Sequence, residues 1–240
     1  MNSSLAAFTR RTGLLLGVGA LSILLVGCSS STPKVGAATG AKALVGTFHL
    51  TAGTCGASGA AGTYFRMINP GGSITSGPFF ENPDSRCSDK SYTLATAGSD
   101  GGLVTGRYQP NPSPAFDAKG DARAAGIVNP QSFTGIDFSL STDPVDPQAR
   151  RAVPVPSINA AGGVLTGQLE AWSVAWNNQY FNQGSPKPGG SSPGLTAPVS
   201  GTYDSTTRAF ALTWASQVVG GPFNGFTGYW HLQGTFAPAG

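Results

Sequence analysis

Amide side chains alternate with aromatic rings in the stretch 176–184, which reads WNNQYFNQG. Asn and Gln each carry a hydrogen-bond donor and an acceptor, and flat rings offer apolar surface, a combination that suits an uncharged polar ligand such as a glycan. The candidate ligand-binding residues are Asn177, Asn178, Gln179, Tyr180 and Phe181. A structural interpretation competes with this one, because Trp172, Val174 and Trp176 alternate as the core face of a strand does and Asn favours loops.

Motifs for nucleophilic catalysis are scarce in this chain. It has two histidines and no Gly-x-Ser-x-Gly elbow. The run 31–34 matches Ser-x-x-Lys, but it lies in a segment predicted to be a flexible tether, where no site is preorganised. Eleven acidic residues leave room for a carboxylate pair of the glycosidase type, which the sequence does not identify. No catalytic residue is predicted, a non-enzyme is favoured, and a secreted hydrolase is the alternative.

Metal ligands are also too few to define a site. His49 and His231 occupy odd positions beside large apolar residues at even positions, so both imidazoles are expected to face away from the core. Protein zinc sites use at least three protein ligands, and no third is evident near either histidine. Asp117 and Asp121 flank a lysine, which favours an ordinary loop over a calcium site. Neither a metal nor another cofactor is predicted.

The first 27 residues have the layout of a secretory signal peptide. Arg10 and Arg11 precede an uncharged run, 12–27, that is shorter than the roughly 20 residues needed for a transmembrane helix. The tetrapeptide Leu25-Val26-Gly27-Cys28 follows and resembles the bacterial lipoprotein signal. That resemblance implies that Cys28 is lipidated and becomes the new N-terminus. The residues around the arginine pair also resemble part of a twin-arginine export signal, so the export route stays open.

These features predict three segments. Residues 1–27 form the signal peptide, 28–43 form a lipidated flexible tether, and 44–240 form a single β-rich extracytoplasmic domain. A division of this domain after the Pro-rich stretch 143–156 is the alternative. Small polar residues and a proline at 29–33 are typical of such a tether. The protein is therefore expected on the extracytoplasmic face of the cell membrane, with the membrane as its partner through the lipid.

Cys55 and Cys87 remain as an even pair once Cys28 is assigned to the lipid. An oxidising compartment favours a disulfide between them. Neither cysteine has a nearby histidine or a Cys-x-x-Cys partner, which argues against the alternative of a catalytic or metal-binding thiol. A bridge spanning 32 positions is expected to stabilise the fold by about 3 to 4 kcal/mol.

Composition indicates the elements that must position these residues. The chain has 35 Gly and 18 Pro but only 10% charged residues, which disfavours long helices. Large apolar residues instead recur with the period of two that is typical of half-buried strands. They include Phe48, Leu50, Ile136, Phe138, Leu140, Phe210, Leu212, Trp214, Trp230, Leu232 and Phe236. The predicted fold is all-β, a mostly antiparallel sandwich or barrel with long Pro/Gly-rich loops.

Three local expectations refine this fold. Residues 201–212 predict a β-hairpin with a polar turn at 204–208. The similar segments 46–50 and 228–232 predict end strands that lie side by side. The only helical candidate is 117–126, which Gly120 weakens.

Net charge argues against nucleic acid as a partner. Removal of residues 1–27 leaves a formal charge of +1 and only one adjacent basic pair, Arg150 and Arg151. A protein that follows a phosphate backbone needs a clustered basic surface, and none is present in this sequence.

The C-terminal run 220–232, GGPFNGFTGYWHL, resembles the ending of uncharacterised secreted bacterial proteins, particularly actinobacterial lipoproteins. The resemblance implies an envelope location and carries no assigned activity. The sequence as a whole predicts a lipid-anchored envelope protein that acts as a binding or interaction module, with an envelope glycan or lipid as ligand. The alternatives are a secreted hydrolase and a carrier that shelters an apolar ligand in a β-barrel.

Overall fold

The computed structural model describes residues 40–57, 59–189 and 193–240. These residues contain 17 strands and no helix, so the all-β prediction is confirmed for this part of the chain. The strands are β1 (Lys42–Leu44), β2 (Gly46–Leu50), β3 (Thr54–Gly56), β4 (Gly59–Ala61), β5 (Tyr64–Ser73), β6 (Gly77–Phe79), β7 (Thr93–Leu94), β8 (Gly102–Val104), β9 (Gln131–Phe133), β10 (Ile136–Thr142), β11 (Ser157–Ala161), β12 (Val164–Gln168), β13 (Trp172–Trp176), β14 (Gln179–Asn182), β15 (Ala197–Tyr203), β16 (Ala209–Gln217) and β17 (Thr227–Pro238).

None of the described segments forms a helix of the length and apolar character needed to cross a bilayer.

Eleven strands form one large antiparallel sheet that curls into a half-barrel. Its main path runs β1-β11-β12-β15-β16-β17-β2-β8. β1 and β2 are separated by Val45 alone, yet β1 pairs with β11 and β2 pairs with β17. This short stretch of chain therefore joins distant strands of the same sheet. β1 begins at Lys42, two residues inside the segment that the sequence predicted as tether.

A second antiparallel sheet has the order β14-β13-β10-β9. Its residue Trp172 is fully buried and packs edge-on against Trp214 of β16, with 5.0 Å between the ring centroids, and against Trp230 of β17 at 5.5 Å. The core between the two sheets is thus built around tryptophan. β3 and β4 form a separate two-stranded sheet.

Two local predictions concerning strand pairing are confirmed. β15 and β16 form the predicted hairpin, with Tyr203 opposite Phe210, and the Asp204 carboxylate accepts hydrogen bonds from turn backbone N–H groups. The end strands β2 and β17 also pair, with Phe48 opposite Phe236. The similar segments are not aligned, however, because His49 lies opposite Thr235.

The predicted helix at 117–126 is wrong. Asp117 Oδ1 accepts hydrogen bonds from the backbone N–H groups of Lys119 and Asp121, an arrangement that competes with helical bonding. Gly120 has a φ of 90°, outside the right-handed helical region. The segment forms turns and isolated bridges instead, with Phe116 opposite Ala122.

The predicted disulfide is confirmed. Cys55 lies in β3, Cys87 is buried in the loop before β7, and their Cα atoms are 5.4 Å apart in a bonded pair. The bridge thereby fastens the β3–β4 hairpin to a loop 32 residues further along the chain.

Candidate functional site

Asn177 and Asn178 form the tip of the hairpin that joins β13 to β14. Trp176 and Gln179 are the last paired residues, so the loop contains only these two asparagines. Their φ angles are 49° and 56°. Two-residue hairpin loops with positive φ at both positions match the twist of the flanking strands, and Asn is among the residues that tolerate this geometry. The amide pair thus has a structural role that does not use its side-chain hydrogen-bonding groups.

Strand alternation divides the five predicted ligand-binding residues between two faces. Phe181 pairs with Val174, whose neighbour Trp176 is buried, and Phe181 itself is only 6% exposed. The sequence placed Phe181 in an exposed loop, and that expectation is wrong because the ring lies on the face that packs against the large sheet. Tyr180 pairs with Ala175 on the opposite face and is half-buried.

The face that carries Tyr180 is open to solvent only in part. The Tyr180 ring packs against Phe116, with centroids 5.2 Å apart and planes inclined by 56°, and both residues are half-buried. Asn177 and Asn178 are exposed and lie over Gly120, where an added Cβ would be 2.7 Å from Asn178 Nδ2. We call the four residues Phe116, Asn177, Asn178 and Tyr180 the amide–aromatic patch.

The polar atoms of this patch have no intramolecular partners among the described residues. Neither asparagine amide nor the Tyr180 hydroxyl makes a hydrogen bond to another side chain or to the backbone of the described residues. The patch therefore combines unoccupied donors and acceptors with ring surface. Phe116 was missed by the sequence analysis because it lies in a Pro-rich segment about 60 residues away, with no periodic pattern of its own.

Two acidic residues beside the patch, Asp117 and Asp121, accept hydrogen bonds from backbone N–H groups. Asp117 holds its turn, and the hydrogen bond from the Lys119 backbone N–H is the largest effect lowering the pKa of that carboxyl. Asp121 Oδ1 accepts a hydrogen bond from the Asp137 backbone N–H. The pKa of Asp137 is raised, mainly by partial burial and to a smaller extent by the negative charge of Asp121. Across the described ranges, no three His, Cys, Asp or Glu side chains converge in a group that could hold a metal ion.

The two histidines occupy separate environments. His49 is exposed and lies opposite Thr235. His231 lies opposite Tyr64, stacks on that ring at 4.6 Å, and places Nδ1 2.9 Å from the Gly62 carbonyl oxygen. Burial lowers the pKa of His231. Their pairing to different partners gives no two-histidine site.

Lys187 is a buried cation that sequence reasoning missed. It is 3% exposed, and Nζ donates to the backbone oxygens of Asn182 and Gln217, at 2.7 Å each, and to Ser216 Oγ at 3.2 Å. Burial lowers the pKa of Lys187 to about 8, against the smaller opposing effect of Asp146. The lysine lies in a Pro-rich run that predicts a surface connection, so no sequence signal marked it as buried.

Cys28 and the predicted signal peptide lie outside the described residues, so lipidation stays a prediction. Comparison of the chain with protein-family models, with curated proteins and with solved structures found no match in any of the three.

Proposed function

We propose that this protein is a lipid-anchored, extracytoplasmic binding module that holds a neutral polar ligand, such as an envelope glycan, on the amide–aromatic patch. The observation that carries the proposal is the unoccupied hydrogen-bonding capacity of Asn177 and Asn178 beside the Tyr180–Phe116 ring pair. The lipoprotein-like motif at Cys28 supports the envelope location.

The chemistry of a glycan matches this surface. Each sugar hydroxyl both donates and accepts hydrogen bonds, and a primary amide offers both complements. The C–H face of a sugar ring packs on aromatic surface, which Tyr180 and Phe116 provide. The two-residue hairpin loop presents the amides in a defined geometry, which lowers the ordering cost of binding. Because the ligand would contact only two exposed asparagines and two half-buried rings, we expect modest affinity and no turnover of the ligand.

Glycan binding by the full-length protein tests the proposal. The double variant Asn177→Gly/Asn178→Gly removes both amides and keeps residues that accept positive φ. Tyr180→Ala removes the stacking ring. Each variant is expected to weaken binding about fivefold to tenfold, since one stacking or hydrogen-bonding contact contributes roughly 1 kcal/mol. The measurement is the fraction of each protein that is retained on immobilised envelope glycans.

Thr134→Gly is the matched control. Thr134 has a φ of 53° and lies in the two-residue loop joining β9 to β10 of the same sheet, outside the patch. This variant should bind as the wild type does. Undiminished binding by both patch variants would overturn the proposal, and release of a cleaved glycan would instead support the hydrolase alternative.

A further inference from the structure

A cavity of about 40 Å³ lies between the half-barrel and the four-stranded sheet. We call it the aromatic cavity. Seven of its lining residues carry aromatic rings, and four do not. The aromatic residues are Phe65, Phe133, Phe138, Trp176, Phe181, Phe223 and Trp230, and the others are Met67, Val174, Gln183 and Val218. It faces the side of β13 and β14 opposite to the amide–aromatic patch, because Val174, Trp176 and Phe181 share that inner face.

The wall of the cavity is apolar. Gln183 is the only amide side chain that lines the cavity, and it is 3% exposed. Its Nε2 donates to the Asn182 backbone oxygen, while Oε1 is buried without a partner, as is Trp230 Nε1. Both unpaired atoms are sealed within the packing, so a group that enters the cavity contacts carbon. Such a wall favours a ligand group that has no polar atoms of its own.

The volume of the cavity limits the size of the ligand group that can enter it. A single water molecule needs about 10 to 15 Å³, so the cavity has the room of about three waters. Cavities that hold a benzene ring are about 150 Å³, several times larger. The space fits the narrow end of an unbranched alkyl chain and excludes a ring unless a wall residue moves.

The residues that line the cavity differ in how deeply they are buried. Val174 and Phe223 are half-buried, whereas Phe181 and Trp230 are buried. Phe223 belongs to the connection from β16 to β17, whose base is closed by hydrogen bonds from Val218 N to Phe226 O and from Gly225 N to Val218 O. A chain entering between Val174 and Phe223 would leave its polar end in solvent.

We propose that the aromatic cavity binds the terminal methyl end of an unbranched acyl chain, with the carboxyl or headgroup end remaining outside. This site is distinct from the amide–aromatic patch and lies on the opposite face of the β13–β14 hairpin. The proposal does not depend on glycan binding.

Position-dependent quenching tests the proposal in the full-length wild-type protein. Trp176 and Trp230 line the cavity, so a bromine atom that enters it quenches their emission. 10-Bromodecanoate carries bromine at the chain end, and 2-bromodecanoate carries it beside the carboxylate. We expect saturable quenching by the first probe and at least threefold less by the second at the same concentration. Equal quenching by the two probes, or none by either, would overturn the proposal.

Two matched substitutions locate the site. Val174→Phe narrows the entry and is expected to weaken quenching by 10-bromodecanoate at least tenfold. Val164→Phe makes the same change on β12, where Val164 is 54% exposed and outside the cavity lining, and should leave quenching unchanged. Asn177→Gly/Asn178→Gly should also leave it unchanged, which separates this site from the glycan proposal. Undiminished quenching in Val174→Phe would contradict the assignment, and the wild-type probe comparison decides the matter even if that variant fails to fold.

Discussion

Lys187 ties the end of β14 to the end of β16 through a single ammonium group. Its three acceptors come from Asn182, Ser216 and Gln217 and are all uncharged, so the bonds do not neutralise the charge. Asp146, fully buried, is the nearby anion that favours the protonated lysine, yet desolvation outweighs it and lowers the pKa to about 8. The hairpin that carries Asn177, Asn178 and Tyr180 is therefore held at its base by a cation whose desolvation opposes folding near neutral pH.

This residue predicts a rise in stability with pH. The folded protein loses the Lys187 proton near pH 8, whereas the unfolded chain keeps it to about 10.5. Between these values the unfolded state binds more protons, so the free energy of unfolding increases with pH. We expect a gain of about 1 to 2 kcal/mol from pH 7.5 to 9.5, measured by urea unfolding. The window stops there because burial raises the pKa of Tyr64 to about 12, which has the opposite effect above pH 10.

Lys187→Met isolates the contribution. The variant removes the buried titratable group, so its stability should vary little between pH 7.5 and 9.5. Lys119→Met, at an exposed position, should retain the wild-type pH dependence. A variant at Lys187 with the same slope as the wild type would contradict this assignment.

At the scale of the element, the β13–β14 hairpin shows what sequence could and could not predict. The alternation of Trp172, Val174 and Trp176 predicted the strand and one of its two buried faces. The prediction failed at Phe181 because the side to which a residue points depends on the pairing register, and the register depends on a loop of two residues. The Tyr180–Phe116 contact was beyond reach for another reason, since Phe116 arrives from a distant Pro-rich loop.

Turn geometry yields a second prediction. Asn178 has a φ of 56°, and a residue other than Gly, Asn or Asp in this region costs roughly 1 to 2 kcal/mol. Asn178→Ala should therefore lower the free energy of unfolding by about 1 kcal/mol, whereas Asn178→Gly should leave it unchanged or raise it slightly. Urea denaturation midpoints distinguish the two. If the alanine variant were as stable as the glycine variant, positive φ would not be what selects asparagine at this tip.

The boundary between β12 and β13 could not be predicted from the local sequence pattern either. The stretch 163–176 has strand character throughout, but the structure divides it into β12 in the half-barrel and β13 in the second sheet. The division lies at 169–171, where the Trp172 backbone N–H bonds to the Leu169 oxygen in a turn. A period of two in the sequence indicates a strand, but it does not indicate which sheet that strand joins.

At the scale of the whole molecule, the curl of the large sheet depends on pairings between distant parts of the chain. β1 pairs with β11 more than 110 residues away, and β2 pairs with β17 more than 180 residues away. Gly46 permits the second approach, because a Cβ there would lie 2.1 Å from the Ala237 oxygen. Composition and alternation predicted the all-β class, but closure of this kind follows from tertiary packing that no local pattern encodes.

The last prediction concerns the proposed attachment of the whole protein to a membrane. Leu25-Val26-Gly27-Cys28 resembles a lipoprotein signal, which would offer the Cys28 thiol for diacylation, and acyl chains anchor a protein by about 0.8 kcal/mol for each buried methylene. Wild-type protein should incorporate labelled palmitate and partition into the detergent phase, and Cys28→Ala should do neither. Cys55→Ala is the control, since it removes a cysteine of the disulfide and should retain the label. Wild-type protein that takes up no fatty acid would refute the anchor and leave the binding module without its proposed attachment.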